Sequence, residues 1–241
     1  MHNCSSAVAL ISFDLDGTLV DTAGEIAEAV NRALDDAGLP RRSLEEITGL
    51  IGKGARELML RLLASVLPAP TFSKPQRQVD ALLASFERHY GDTAGRFARP
   101  YAGCAETLAR LRSSGLQLVC VTNKEQRHAE RVLEATGLAR HFDLLVGGDT
   151  LAVKKPDAGV LHHVLARYGV PAEAAAHVGD SAIDVECARR AGVAAWALPH
   201  GYNAGVPIAN AHPDRLFADL PAVADFVCGP MAAQNPQPAA A

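Results

Sequence analysis

The 241-residue chain lacks an excess of basic charge, a cysteine pattern and any long apolar run. Its 23 lysines and arginines stand against 27 aspartates and glutamates, a formal net charge of −4. No broad positive field is available to attract nucleic acid or an anionic membrane surface. The five cysteines, Cys4, Cys104, Cys120, Cys187 and Cys228, are odd in number and scattered, without a CxxC or Cys/His spacing suited to zinc. Reduced thiols in a reducing compartment are expected. The longest apolar runs, such as AVALISF, fall far short of the roughly 20 residues that span a bilayer. The first residues, MHNCSSAVAL, have no basic n-region and lead straight into acid, unlike a signal peptide. No internal repeat is visible. Together these absences point to a cytoplasmic protein with no nucleic-acid and no membrane partner. What remains is ordinary globular composition, 49% apolar and 21% charged, with enough length for one large domain or a domain carrying an insertion.

Short apolar runs alternate with helical patterns through the second half. AVALISF (7–13), LQLVCVT (116–122), FDLLVGG (142–148), AAAHVGD (174–180) and VAAWALP (193–199) read as strands. They are apolar throughout rather than alternating, as in a parallel sheet covered on both faces. Between them CAETLARLRSSG, KEQRHAERVLEATG, PDAGVLHHVLARYG and SAIDVECARRAG have helical spacing, and each ends at a glycine. The stretch from Ala23 to Ala98 contains no convincing strand. AGEIAEAVNRALDDAG, GARELMLRLLASVL and QRQVDALLASFERHYG are its amphipathic helix candidates. The expected fold class is therefore α/β: a doubly wound, Rossmann-like, mainly parallel sheet with an inserted all-helical domain. The expected division is 1–22 and 97–228 for the α/β core and 23–96 for the helical insertion, with 229–241 a disordered Pro/Ala-rich tail.

The first strand ends in acid: ISFDLDGTLVDT (11–22). In a parallel sheet the carboxyl ends of the strands open on the ligand crevice. Asp14 and Asp16 lie at one such end, Thr122 and Asn123 at a second, and Asp180 at a third, with Asp184 one helical turn further on. Lys154 and Lys155 precede Pro156 in another loop of the same edge. Crowded carboxylates repel, and burial raises the cost. A hard divalent cation relieves it, and magnesium prefers oxygen ligands and tolerates few protein carboxylates. Asp14 and Asp180 are the expected direct ligands, with the Asp16 backbone carbonyl a third and Asp184 orienting waters behind them. Beside a cation and Lys155, the Asp14 carboxylate can approach an anionic phosphate as a nucleophile. Thr122 and loop amides would bind phosphate oxygens, and Asp16 would carry the proton. Gly17 and Thr18 would shape the phosphate loop. Taken singly, Thr-Asn reads as a helix cap, Lys-Lys-Pro as a solvated loop and GDSxxD as a capped helix start. Their occurrence in order, each at a strand end, is not explained that way. Asp21 is left over, and is expected to begin the next helix. His162 and His163 are adjacent and cannot share a helix face, so they read as surface residues. His177 reads as a buried, hydrogen-bonded side chain.

DLDGT (14–18), VTN (121–123), KKP (154–156) and GDSAID (179–184) resemble the haloacid dehalogenase-like hydrolase superfamily over most of the chain. The resemblance implies Asp14 as nucleophile, Asp16 as general acid and base, Thr122 and Lys155 as phosphate binders, and Asp14, Asp16 and Asp180 at magnesium. It makes the helical insertion a mobile cap. The dehalogenase branch lacks the second aspartate of the first motif, so Asp16 argues for phosphotransfer. GGDTLAVKKPD, VGDSAIDVECARRAGV and HGYNAGVPIANAHPD (200–214) are similar to the bacterial phosphoglycolate phosphatase family in particular. One departure is Lys155-Pro156-Asp157-Ala158, where that family usually has a second proline. The resemblance implies a magnesium-dependent phosphomonoesterase that works through an aspartyl-phosphate and converts a small phosphorylated metabolite, 2-phosphoglycolate, to glycolate and phosphate; a monomer or homodimer is expected. A phosphatase for sugar phosphates or nucleoside monophosphates, a phosphosugar mutase and a non-catalytic phosphate sensor are the competing readings. Specificity is expected from the cap, where GLIGKGARELM (49–59) offers Lys53 and Arg56 for a substrate carboxylate.

Overall fold

The computed structural model describes residues 8–66 and 75–230. The first strand, β1 (Leu10–Phe13), is buried along its whole length. A two-residue strand, β2 (Val20–Asp21), leads into four helices: α1 (Ala23–Asp36), α2 (Leu44–Thr48), α3 (Ala55–Val66) and α4 (Pro75–Thr93). β3 (Arg99–Pro100) returns antiparallel to β2. Then follow α5 (Cys104–Ser113), β4 (Gln117–Val121), α6 (Gln126–Ala135), β5 (Leu144–Val146) and α7 (Gly159–Tyr168). The chain closes with β6 (Ala175–Gly179), α8 (Ala182–Ala191), β7 (Ala194–Ala197), β8 (Arg215–Leu216) and α9 (Leu220–Cys228).

The main sheet has the order β5-β4-β1-β6-β7-β8, and every neighbouring pair is parallel. Its faces are covered differently. Ile11, Phe13, Leu118 and Cys120 turn toward α5, α6 and α9 in one apolar cluster. Leu10, Val119 and Val121 turn toward α7 and α8 in another. A fully buried side chain of this size contributes about 1.5–3 kcal/mol, so the two-sided burial holds β1 firmly at the centre. The expected α/β class is thus present. β1 lies between β4 and β6, where the strand order reverses. Ligands of such sheets bind at that switch point. The four helices between β2 and β3 build a third apolar cluster of their own, from Ile26, Val30 and Leu34 to Met59, Leu62, Phe86 and Tyr90.

Several elements differ from expectation. β8 and the β2/β3 pair were not expected from the sequence, because two-residue strands show no period. α2 was also unforeseen, although Ser43 and Glu46 form a reciprocal capping box at its start. α4 runs through Gly91, the expected stop, to Thr93. The other glycine stops occur as expected: Gly115, Gly137, Gly169 and Gly192 follow their helices with φ of 84°, 70°, 64° and 70°. Most of the tail expected to be disordered, residues 231–241, lies outside the described residues, as does Cys4. Cys104, Cys120, Cys187 and Cys228 are free thiols. No described helix is long and apolar enough to cross a membrane.

Candidate active site

β1 delivers Asp14 to the edge of the sheet. The Asp14 amide donates to the Val178 carbonyl at 2.9 Å, so the sheet ladder fixes its backbone. Beside it, the ends of β4 and β6 carry Thr122 and Asp180. The carboxylates of Asp14, Asp180 and Asp184 offer oxygens within 4.8 Å of one another, and all three residues are buried. Lys155 Nζ lies 2.8 Å from Asp14 Oδ1 and 2.7 Å from Asp184 Oδ1, and donates to the Val121 carbonyl at 2.8 Å. The approach to Asp14 is close but poorly aligned, so Asp14 Oδ1 has no well-formed hydrogen bond. His177, buried as expected, pairs with Ser12 Oγ at 2.8 Å and Asp184 Oδ1 at 3.2 Å. His162 and His163 are exposed, again as expected.

These contacts assign different work to the three acids. Asp184 receives the Ser181 amide and hydroxyl at 3.1 and 2.6 Å besides Lys155 and His177. Burial would raise it, but the Lys155 ammonium and the His177 hydrogen bond hold it well below the usual carboxylate range. Asp180 is held by neutral donors instead. Thr18 Oγ1 donates to it at 2.6 Å and the Tyr202 amide at 2.5 Å. Burial, then Asp184 and Asp14, push its pKa well up. Burial likewise raises Asp14 to about 6, against the opposing pull of Lys155. Burial also lowers the His177 pKa, against the pull of its Asp184 hydrogen bond. Three carboxylates therefore face one ammonium, a balance of −2 if all are ionised. The donor set is all oxygen, one Asp14 oxygen is poorly partnered, and the excess charge is that of one divalent cation. The residues present fit a hard cation such as magnesium.

Asp16 stands apart from this cluster. Both its oxygens accept from Lys124 Nζ, at 2.8 and 2.9 Å, and Oδ1 accepts the Thr22 hydroxyl at 2.6 Å. Its carboxylate is thus not available among the metal-facing acids. Lys124 went unnoticed in the sequence, where a lysine after Val-Thr-Asn looks like any solvated loop residue. In the structure it is 6% exposed, and its ammonium lies 4.7 Å from the centre of the Tyr90 ring.

Over Asp14 lies a small, partly open cavity of about 40 Å³. Asp14, Asp16, Thr122, Asn123 and Lys124 form its floor, and Ile26, Ile51, Leu58, Phe86 and Tyr90 bring apolar walls from the helical layer. Thr122 Oγ1 accepts the Lys124 amide at 3.3 Å. Asn123 lines the cavity, but its amide group donates to the Gly52 and Lys155 carbonyls at 3.0 and 2.9 Å.

Five residues expected to touch substrate do not line the cavity, and the first is Lys155, whose ammonium faces Asp14, Asp184 and the Val121 carbonyl. The Gly17 amide is spent on the Val20 carbonyl at 2.9 Å, and Gly17 instead makes room for Asp180. The Thr18 hydroxyl serves Asp180 and the residue is fully buried. Lys53 is exposed, and its carbonyl rather than its ammonium meets the core, accepting from Lys154 Nζ at 2.9 Å. Arg56 is exposed and ion-paired with Asp80 on α4. The phase of α3 explains this: Ala55, Leu58, Met59, Leu62 and Leu63 point inward, which turns position 56 out. Asp21 accepts the Ala23 amide at 3.2 Å at the start of α1, and also the Tyr202 hydroxyl. Tyr202, from the HGYNAG segment, is a supporting residue that the motifs left unassigned.

Carboxylates and a lysine at the switch point of a parallel sheet define a crevice of the kind that handles phosphate. Comparison with known proteins agrees. The model of the haloacid dehalogenase-like hydrolases matches residues 11–198, and the chain belongs to that family. A phosphoglycolate phosphatase of Cupriavidus necator is 41% identical over 84% of this chain and 85% of its own length. The crystal structure of a predicted phosphoglycolate phosphatase from Haemophilus somnus superposes with a TM-score of 0.84 at 33% identity, covering 91% of this chain and 96% of that one. The structure of CbbY from Rhodobacter sphaeroides in complex with phosphate gives 0.69 at 25% identity, with 88% and 95% covered. The resemblance carried by the four motifs is therefore borne out, and so is the expected enzyme class, a hydrolase of phosphoric monoesters.

Proposed function

We propose that this enzyme hydrolyses 2-phosphoglycolate to glycolate and phosphate, with magnesium as its cofactor. The observation that carries the reading is the buried Asp14 carboxylate, poorly partnered and 2.8 Å from Lys155, beside two further acids at the switch point. The similar phosphoglycolate phosphatases support the choice of substrate. Residues 1–22 and 97–228 act as the catalytic core and 23–96 as a cap over it, in a cytoplasmic enzyme.

Asp14 is the nucleophile. One of its oxygens attacks phosphorus in line with the ester oxygen, so that a carboxyl–phosphorus bond forms as the ester bond breaks. Asp16 gives the departing alkoxide a proton and then takes one from the water that hydrolyses the aspartyl-phosphate. The Thr122 hydroxyl holds a phosphate oxygen in place, and Lys155, already on Asp14, Asp184 and the Val121 carbonyl, supplies positive charge from behind the nucleophile. Asp14, Asp180 and the Asp16 backbone carbonyl would hold magnesium, with Asp184 oriented behind them by Lys155, His177 and Ser181. The cation, when bound, supplies positive charge to the phosphate oxygens. Closure of the cap keeps water from the cavity while the intermediate forms.

Asp14→Asn is nearly isosteric and removes the nucleophile. Phosphate release from 2-phosphoglycolate should fall by about 10³-fold or more, with the melting temperature kept or raised because a buried charge is lost. An Asp14→Asn enzyme that turns over like the parent defeats the covalent mechanism.

A further inference from the structure

Among the described residues, Lys124 is the one cationic side chain on the wall of the cavity over Asp14. Lys155 lies behind Asp14, Lys53 is exposed outside the cavity, and Arg56 is exposed and paired with Asp80. A phosphorylated acid brings two anionic ends. Its phosphate belongs at Asp14 and Thr122. Its carboxylate then enters a space walled by Ile26, Ile51, Leu58 and Phe86, where an anion without a countercharge is strongly disfavoured.

We propose that Lys124 recognises the substrate carboxylate and is the main determinant of selectivity for phosphorylated acids. Three observations carry this. The ammonium already holds a carboxylate, with both Asp16 oxygens within 2.9 Å, so its position suits that group. An ammonium has three donors, and Asp16 takes two of them. Finally, its place is fixed from the helical layer. The Tyr90 ring covers Nζ at 4.7 Å, and the Tyr90 hydroxyl donates to Glu25 at 2.9 Å. Glu25 is itself held by the Gly95 and Ala98 amides at 2.9 and 3.1 Å, where that layer returns to the sheet. Thr122 and Lys124 sit two residues apart on one loop, so a short acid can reach both. The substrate carboxylate shares or replaces Asp16 on the ammonium.

The inference rests on the phosphatase reading for the identity of the phosphate end, and its test does not need turnover. Binding of 2-phosphoglycolate and of ethyl phosphate, which has a methyl group in place of the carboxylate, is measured by calorimetry in magnesium. The proteins are the Asp14→Asn chain alone and combined with Lys124→Met or Lys124→Arg. Lys124→Met should weaken 2-phosphoglycolate by about 30-fold or more, the scale of a lost buried charge partner, and ethyl phosphate by less than about 3-fold. Lys124→Arg keeps the charge and should recover most of the loss. Equal weakening of both ligands means that Lys124 acts only through Asp16, and overturns the proposal. Unchanged 2-phosphoglycolate binding places the carboxylate elsewhere and also overturns it. If Asp14→Asn binds neither ligand, both this inference and the proposed substrate fall. If the parent enzyme binds 2-phosphoglycolate through Lys124 but releases no phosphate from it, only the proposed reaction falls.

Discussion

The Asp180 carboxylate sits in a slot closed by two glycines. A methyl group on Gly17 would come within 2.5 Å of Asp180 Oδ2, and one on Gly201 would overlap the same oxygen. Gly17 also has φ of 87°, a left-handed conformation that a Cβ disfavours by about 1–2 kcal/mol. Gly17→Ala should therefore destabilise the protein by about 2–3 kcal/mol in denaturant titrations, strain and overlap together. Gly201→Ala carries the overlap without the strain. Both should raise the magnesium concentration needed for half-maximal phosphate release, and an unchanged requirement in both would separate Asp180 from the metal. The same slot shows what a sequence can say at this scale. Asp14, Asp16 and Asp180 were legible because each follows a strand-like run. The partners of Gly17 and Thr18 were not, since Asp180 is 162 positions from Thr18 in the chain. Lys124 was overlooked for the same reason: its partners, Asp16 and Tyr90, come from distant segments.

Between elements, the seam of α4 and α6 joins the helical layer to the core. Glu87 of α4 meets Arg127 and, at 2.9 Å, His128 of α6; Arg131 donates to the Gly91 carbonyl; and the Tyr90 and His128 rings lie 4.8 Å apart. Burial, then Arg127, push His128 down to about 4, so it is neutral at pH 7. Its folded value lies below the unfolded one near 6.5. Between the two, the unfolded chain binds a proton that the native chain does not. Stability from this residue is full above about pH 6.5 and is lost as the pH falls toward about 4. With allowance for solvent screening and the Glu87 partner, the loss is about 1 kcal/mol. Unfolding free energies of the parent and His128→Gln from urea titrations, compared at about pH 7 and about pH 4.5, should diverge by that amount. Parallel changes would show that the seam does not titrate. Of these contacts only the helices were foreseeable. Their apolar spacing and the Gly137 stop of α6 are local properties, and even the outward turn of Arg56 was contained in the spacing of Ala55, Leu58, Met59 and Leu62. Which helix lies on which, and hence the pairing of Glu87 with His128, depends on packing that no local pattern encodes.

For the molecule as a whole, the charge of the site is linked to folding. The parallel sheet was legible in the sequence, its reversal at β1 was not, and the two together bring the acids to one place. The consequence, three buried carboxylates against one ammonium, became visible only with their geometry. An unbalanced cluster opposes its own burial, and a cation that binds the native state but not the unfolded chain offsets that cost by mass action. Magnesium at about 100 times its dissociation constant should stabilise the fold by about 2.7 kcal/mol. A chain of this size gains about 2–4 °C in melting temperature per kcal/mol, so the expected rise is roughly 5–10 °C. Excess chelator should reverse the shift and abolish phosphate release together. Asp180→Asn relieves the repulsion and removes a ligand at once. It should melt at least as high as the parent in chelator, yet gain little from magnesium. Lys155→Met works in the opposite direction, leaving the acids without their ammonium, and should melt lower in chelator than either. If magnesium raises the melting temperature of Asp180→Asn as much as that of the parent, the cation binds elsewhere and the acidic cluster is not its site.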